Sequence, residues 1–246
     1  MKKIVTVIII IVSQGLAVGT FAQEKALVGF DKNIVKLNLT ALPLGSIDMQ
    51  YERTVGRKMS AGLGLRLVPR GALPFTSIIE SSDGQDASVQ LDKLEFGNFA
   101  ITPEFRFYLG KHDGPRGFYI APFARYSVIN MKVPNFVIES SSGTIDLDGQ
   151  ISGFSGGLML GSQWRLGKRI YLDWWIMGAG YGSSAGDLNG IGDLSPTEQE
   201  DLREDFSDLN IGVIKTETTI DANGVNVGFD GPWATLRGGL LLGIKF

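Results

Sequence analysis

The sequence predicts an all-β fold: an eight-stranded antiparallel transmembrane β-barrel with long extracellular loops and a short loop helix. Three observations lead there. The chain opens on an export-type segment and afterwards holds no apolar stretch of the ~20 residues that a membrane-crossing helix needs. Eight later segments alternate apolar and polar residues with period two. The connections between those segments are short after the second, fourth and sixth and long after the third, fifth and seventh.

At the N-terminus, Met1-Lys2-Lys3 is basic, Ile4 to Val12 is apolar except for Thr6, and Thr20-Phe21-Ala22 ends on a small residue suited to cleavage. Residues 1–22 therefore read as a signal peptide and 23–246 as one outer-membrane barrel domain. The alternative, a retained membrane helix, has too few apolar residues to span a bilayer. The chain has no Cys, which excludes a lipoprotein anchor and disulfides. Loss of Lys2 and Lys3 takes the formal charge from -3 to -5, a balance that argues against nucleic-acid binding. The 33 glycines have no three-residue period and so do not indicate collagen.

The first strand is expected over Asn33–Ala41, with Val35, Leu37 and Leu39 opposite Lys36, Asn38 and Thr40. Leu42-Pro43-Leu44-Gly45 turns it into the second, Ser46–Val55, where Ile47, Met49 and Tyr51 oppose Asp48, Gln50 and Glu52. After Gly56-Arg57-Lys58 comes the third, Met59–Val68, with Leu63, Leu65 and Leu67 opposite Gly62, Gly64 and Arg66. The fourth, Phe96–Leu109, sets Phe99, Ile101, Phe105 and Phe107 against Asn98, Thr102, Glu104 and Arg106. The fifth, Phe118–Val128, sets Ile120, Ala124, Tyr126 and Val128 against Tyr119, Phe123, Arg125 and Ser127. Pro103 and Pro122 lack ladder donors, so a bulge or irregular pairing is expected at each. The sixth, Ile151–Leu166, has Phe154, Leu158, Leu160 and Trp164 opposite Ser155, Met159, Gln163 and Arg165. In the seventh, Ile170–Tyr181, Ile170, Leu172, Trp174 and Ile176 oppose Tyr171, Asp173, Trp175, Met177 and Tyr181. The eighth, Trp233–Phe246, presents Leu236, Leu240, Leu242, Ile244 and the terminal Phe246 opposite Thr235, Arg237, Leu241 and Lys245.

Nine ionisable residues fall on the mixed faces: Lys36, Asp48, Glu52, Arg66, Glu104, Arg106, Arg125, Asp173 and Arg237. A soluble lipocalin-like barrel or sandwich would turn them to water, and a membrane barrel would turn them inward. Alternation alone allows both. The membrane direction is favoured by aromatic residues near strand ends (Phe107, Phe118, Trp164, Tyr126), by glycines suited to a small lumen, and by the segregated loop lengths. Short turns then face the periplasm, as do both termini.

The segments Lys32-Asn33-Ile34-Val35-Lys36-Leu37-Asn38, Ile101-Thr102-Pro103-Glu104-Phe105-Arg106-Phe107-Tyr108 and Gly117-Phe118-Tyr119-Ile120-Ala121-Pro122-Phe123 resemble uncharacterised outer-membrane β-barrel proteins of Bacteroidota. The resemblance covers essentially the whole mature chain and speaks to architecture more than to chemistry.

Opposed inward charges, with Tyr119, Phe123, Tyr171 and Trp175 adding volume, predict a plugged, salt-bridged lumen, because eight strands enclose room for side chains or one small ligand. Three segments form elaborate loops: Arg70–Asp92; Lys132–Gln150, read as a hairpin extension; and Ser183–Pro232, which holds a short helix and a further hairpin. Ser195 caps the helix, Pro196 fits its first turn and Glu198 completes a capping box. Leu202, Phe206 and Leu209 share one of its faces, and acids from Glu198 to Asp208 line the rest. The hairpin uses Ile214–Ile220 and Val225–Phe229 around Asp221-Ala222-Asn223-Gly224.

Chemistry is sparse. The lone His112 lies in a turn away from the loop end, no Cys/His metal pattern exists, and Asp83, Asp86 and Asp92 are not spaced as a calcium loop. Asn38-Leu39-Thr40 matches a glycosylation acceptor only formally, inside a strand. The expected function is a non-enzymatic surface barrel, structural or binding, with no cofactor. The competing reading is transport of a small hydrophobic compound through the upper barrel with lateral release. Expected partners are outer-membrane lipid and lipopolysaccharide, the barrel-assembly machinery through the C-terminal strand, and an extracellular ligand, with no nucleic acid.

Overall fold

The computed structural model describes residues 33–72, 94–137, 144–207 and 215–246. The expected signal peptide and the loop stretches 73–93, 138–143 and 208–214 lie outside the described residues, as do the side chains of Phe206 and Leu209. The described chain is a single antiparallel sheet. In order it comprises β1 (Asn33–Asn38), β2 (Ile47–Gly56), β3 (Met59–Ala72), β4 (Glu95–Tyr108), β5 (Gly117–Val137), β6 (Thr144–Arg165) and β7 (Ile170–Ile191). Then follow a helix α1 (Pro196–Ser207), β8 (Lys215–Asp221) and β9 (Gly224–Lys245). Each strand from β1 to β7 pairs with the next, and β7 pairs with β9. Pairing of β9 with β1, from Ile34↔Lys245 to Asn38↔Leu241, closes a ring of eight strands. β8 stands outside the ring on the edge of β9.

Period-two alternation decides what each strand presents. Along β2, Ile47, Met49 and Tyr51 are exposed while Asp48, Gln50 and Glu52 are buried. The same holds around the ring: Leu63, Leu65, Leu67, Phe99, Phe107, Phe118, Trp164, Trp174 and Leu242 cover the outside, and Lys36, Glu104, Arg106 and Asp173 lie within. Trp164 and Trp174 stack outside, with ring centroids 6.4 Å apart. The ring thus carries apolar side chains on its outer face and charged ones within.

Five local expectations are corrected or sharpened. First, β1 ends at Asn38 because Leu42–Leu44 forms a 3-10 turn, closed where Gly45 takes φ 68° and donates its N–H to the Leu42 carbonyl. Second, of the bulge or irregular pairing expected at Pro103 and Pro122, the β4–β5 ladder shows interrupted pairing and no bulge. The β4–β5 pairs step from Ile101↔Tyr126 to Glu104↔Phe123 to Phe107↔Ile120 without a register shift, so the missing donors leave gaps in an otherwise straight ladder. Third, a bulge does occur in β7, where Leu160 and Gly161 of β6 pair with Met177 and Trp175 and skip Ile176. This extra residue reverses the phase, so Met177 and Tyr181 are exposed outside and not inward as their spacing predicts. Fourth, Tyr126 sits in mid-strand, because β5 runs on to Val137. Fifth, the expected hairpin forms, with β8 paired to Val225–Phe229 around the Asp221–Gly224 turn, but Val225–Phe229 runs on without a break into the last ring strand as β9.

The fourth and fifth differences have one cause. β5, β6, β7 and β9 run 21–22 residues, about 70 Å at ~3.3 Å per residue, against 6–14 for β1 to β4. One side of the wall therefore continues well past the ring, through a stretch rich in Gly, Ser and Asp whose alternation is too faint to read. Helix α1 packs on this extension, placing Leu202 and Leu194 against Leu147, Val225 and Val227. Leu147, Val225 and Val227 fall in phase with the lumen-facing Ser155 and Thr235, so the helix lies on the side that continues the barrel interior. Its first turn carries the expected capping box: the Ser195 N–H and hydroxyl reach Glu198 Oε2 at 2.8 and 2.7 Å, and the Glu198 N–H donates to Ser195 Oγ at 3.3 Å.

Candidate functional site

All nine ionisable residues selected by alternation face the lumen, and they sort into two tiers. Nearer the short turns, Lys36 on β1 lies 2.5 Å from Glu52 on β2 and 2.6 Å from Asp173 on β7. Arg106 on β4 is the hub. It donates to Glu104 at 2.6 Å, to Asp173 at 2.7 Å and to Gln50 at 2.7 Å, and its guanidinium lies 4.3 Å from the Tyr119 ring centroid. Tyr119 and Tyr108 hydroxyls donate to Asp173 and Glu52 at 2.8 and 2.6 Å, and Ser60 also hydrogen-bonds Glu52. Lys36, Glu52, Arg106 and Asp173 have at most 1% of their surface exposed, so this tier closes the barrel to water. Each ion is compensated by several partners, which is the condition for keeping charges in a low-dielectric interior.

The turn between β4 and β5 completes the closure. The Gly114 N–H donates to the Arg57 carbonyl at 2.8 Å, and Gln163, an inward residue of β6, donates to the Pro115 carbonyl at 2.6 Å. Gln163 also accepts from Lys36 at 2.5 Å, so one neutral side chain ties the turn to the charge network. On the outer side of this turn, a hydrogen bond from Arg57 to Asp113 at 2.7 Å holds the Asp113 carboxyl below its usual range and raises the Arg57 guanidinium. His112 is exposed in the same turn, remote from the loop end.

Towards the long connections the composition changes. Arg237 on β9 pairs with Glu104 at 3.0 Å and lies 4.5 Å from the Trp175 centroid and 4.9 Å from that of Phe123. Arg66 and Asp48 are 3.4 Å apart. Arg125, 8% exposed, donates to the Thr102 hydroxyl at 3.1 Å, and among the described residues no carboxylate reaches it. Above these residues is a cavity of about 230 Å³, lined by Arg66, Arg125, Phe96, Ile129, Trp233 and Thr235 among others. Asn38 accepts from the Thr40 hydroxyl at 2.7 Å and faces the lumen, so the formal glycosylation acceptor is part of the interior.

Sequence reasoning therefore placed all nine charges on the correct face but did not separate them into a matched tier and an over-cationic one. It also missed the bridging roles of Gln50, Tyr108 and Gln163, although their position in phase with Arg106, Glu52 and Asp173 was the available signal. Among the described residues no group of three or more His, Cys, Asp or Glu is arranged to hold a metal.

No curated protein and no solved structure matches the chain. A family described as "Protein of unknown function (DUF3575)" matches residues 7–188, a span that runs through β1 to β6 and most of β7. That match covers well over half of the sequence, and the chain belongs to this family of proteins of unknown function.

Proposed function

We propose that the chain is a non-enzymatic barrel of a Gram-negative outer membrane, closed at its turn end and used for binding at its loop end. The observation that carries this reading is the polarity of the ring: its ionised residues are buried within, and large apolar side chains cover the outer face from Val35 and Ile47 to Leu242 and Ile244. In water that outer face would far exceed the few hundred Å² of contiguous apolar patch usual for a monomer, whereas hydrocarbon satisfies it. Closure of the ring suits the same solvent, since each of its eight strands pairs on both sides and no open sheet edge faces lipid. The export-type N-terminus, the resemblance to Bacteroidota barrels and the short turns at one end support the placement, with those turns and the termini periplasmic. The partners follow from it: lipid and lipopolysaccharide around the wall, and the barrel-assembly machinery on β9.

The test is insertion and conductance. Unfolded protein diluted into phosphatidylcholine vesicles should gain β-structure, resist protease over the ring strands and migrate faster in unboiled electrophoresis, while planar bilayers holding it stay silent. A protein that folds as a water-soluble particle without lipid would overturn the membrane reading, and steady channel currents would overturn the closed lumen.

Transport of a small hydrophobic compound, with lateral release, is the second reading. One observation favours it: the cavity is lined by residues of β4 and β5, the two strands whose ladder is interrupted at Pro103 and Pro122. The charged wall of that cavity favours an anionic ligand instead, and an uncharged aromatic alcohol binding there as well as its carboxylate counterpart is the result that would favour transport of a neutral compound.

A further inference from the structure

We propose that the loop-end cavity is a binding site for a compact organic monocarboxylate, with its anionic group held by Arg125 and Arg66 and its apolar body packed against Phe96, Ile129 and Trp233. The inference rests on the binding role proposed above and names its ligand class.

Charge supplies the first argument. The upper tier holds three guanidiniums. Arg237 is matched by Glu104 and Arg66 by Asp48, which leaves Arg125 without a carboxylate partner among the described residues. Arg66 lines the same cavity as Arg125. Arg125 is 8% exposed, and among the described residues the buried Nε atoms of Arg66 and Arg237 have no hydrogen-bond acceptor. Burying an unmatched cation beside two others is costly for a purely structural core, and the same barrel matches every ion of its lower tier. One uncompensated positive charge suits a monoanion, and two guanidiniums offer a carboxylate charge-assisted hydrogen bonds.

The cavity supplies the second argument. Its ~230 Å³ accommodates roughly eight water-sized groups, about the bulk of a benzoate. Phe96, Ile129 and Trp233 give it an apolar wall that an inorganic anion would leave unused. Gly153 leaves room for Trp233, since a Cβ there would come within 2.8 Å of the indole ring. The tryptophan therefore depends on a glycine on the neighbouring wall.

The experiment is calorimetric titration of the full-length mature barrel in zwitterionic phosphatidylcholine nanodiscs with sodium benzoate, benzyl alcohol and inorganic phosphate. Benzoate should bind one to one, at least about tenfold more tightly than either comparison ligand, as expected when one charge-assisted contact or the apolar wall is forfeited. Arg125→Gln should weaken benzoate by about tenfold or more while leaving the thermal midpoint unchanged or raised, because it relieves repulsion among the three arginines. Arg125→Lys should retain part of the affinity. Should Arg125→Gln fail to fold, Arg66→Gln and Trp233→Leu carry the same expectation for benzoate. The proposal is overturned if benzoate does not bind, if benzyl alcohol or phosphate binds as tightly, or if the folded variants bind like the parent. If the protein proves water-soluble, the membrane reading fails separately, and the same titration without nanodiscs still decides the site.

Discussion

Arg106 illustrates how a single inward position organises the interior. One planar guanidinium meets Glu104, Asp173 and Gln50 and stacks on Tyr119, a geometry that a lysine cannot supply. Its removal leaves Glu52 and Asp173 to Lys36 alone and Glu104 to Arg237. Arg106→Met is expected to lower the free energy of unfolding by about 3–5 kcal/mol, measured by urea unfolding, because it breaks a buried network from one side. Adding Glu104→Gln should recover part of that loss, and a strictly additive double mutant would show that the network is not coupled. That these residues face one another was legible from parity. Their pairing was not, because parity assigns a face and says nothing of which strand stands across the lumen.

At the scale of elements, the structure separates what local signals announce from what they hide. The capping box at Ser195 is local chemistry, complete within four residues, and helix α1 begins where it indicates. Ser195→Ala should cost about 1 kcal/mol of helix stability, read as faster amide exchange across Pro196–Ser207 with exchange in the ring strands unchanged. If exchange is unaltered, the helix owes its order to the contact of Leu202 with Leu147 and Val227 and not to its cap. The β7 bulge is the opposite case. Trp174 to Tyr181 is continuously compatible with alternation, yet Ile176 is passed over by β6, and everything after it changes face. The register demanded by the neighbouring strand imposes that step. The prolines fall between: they were visible as missing donors, but whether a missing donor bends a strand or merely leaves a gap depends on the partners on both sides.

The whole molecule combines a sealed ring with a one-sided wall. Nothing in the ring strands explains why β5, β6, β7 and β9 continue past it, but their extension gives α1 and β8 a place to dock and gives the loop end a sheltered side. In the proposed membrane setting the ring's outer face is the part in contact with lipid. Leu65, 46% exposed and flanked by Met49 and Ile101 on neighbouring strands, lies well inside it. Leu65→Arg is expected to destabilise the barrel by about 2–4 kcal/mol in vesicles, falling towards zero for a residue placed nearer the rim. An arginine tolerated there without loss would mean that this face meets water.

By itself the sequence determined the class of fold, the eight ring strands, the direction of every inward charge and the start of the loop helix. Each of these is written in short-range patterns: a two-residue period, a turn, a cap. The tertiary structure decided the phase change in β7, the length of the wall, and the division of the interior into a compensated tier and a cationic pocket. Those depend on register between strands that are distant in sequence, and on which charges meet across a closed ring. Arg125 makes the distinction concrete: its inward direction is set by its neighbours in the chain, while its lack of a carboxylate partner among the described residues is set by β3, β4 and β9 around it.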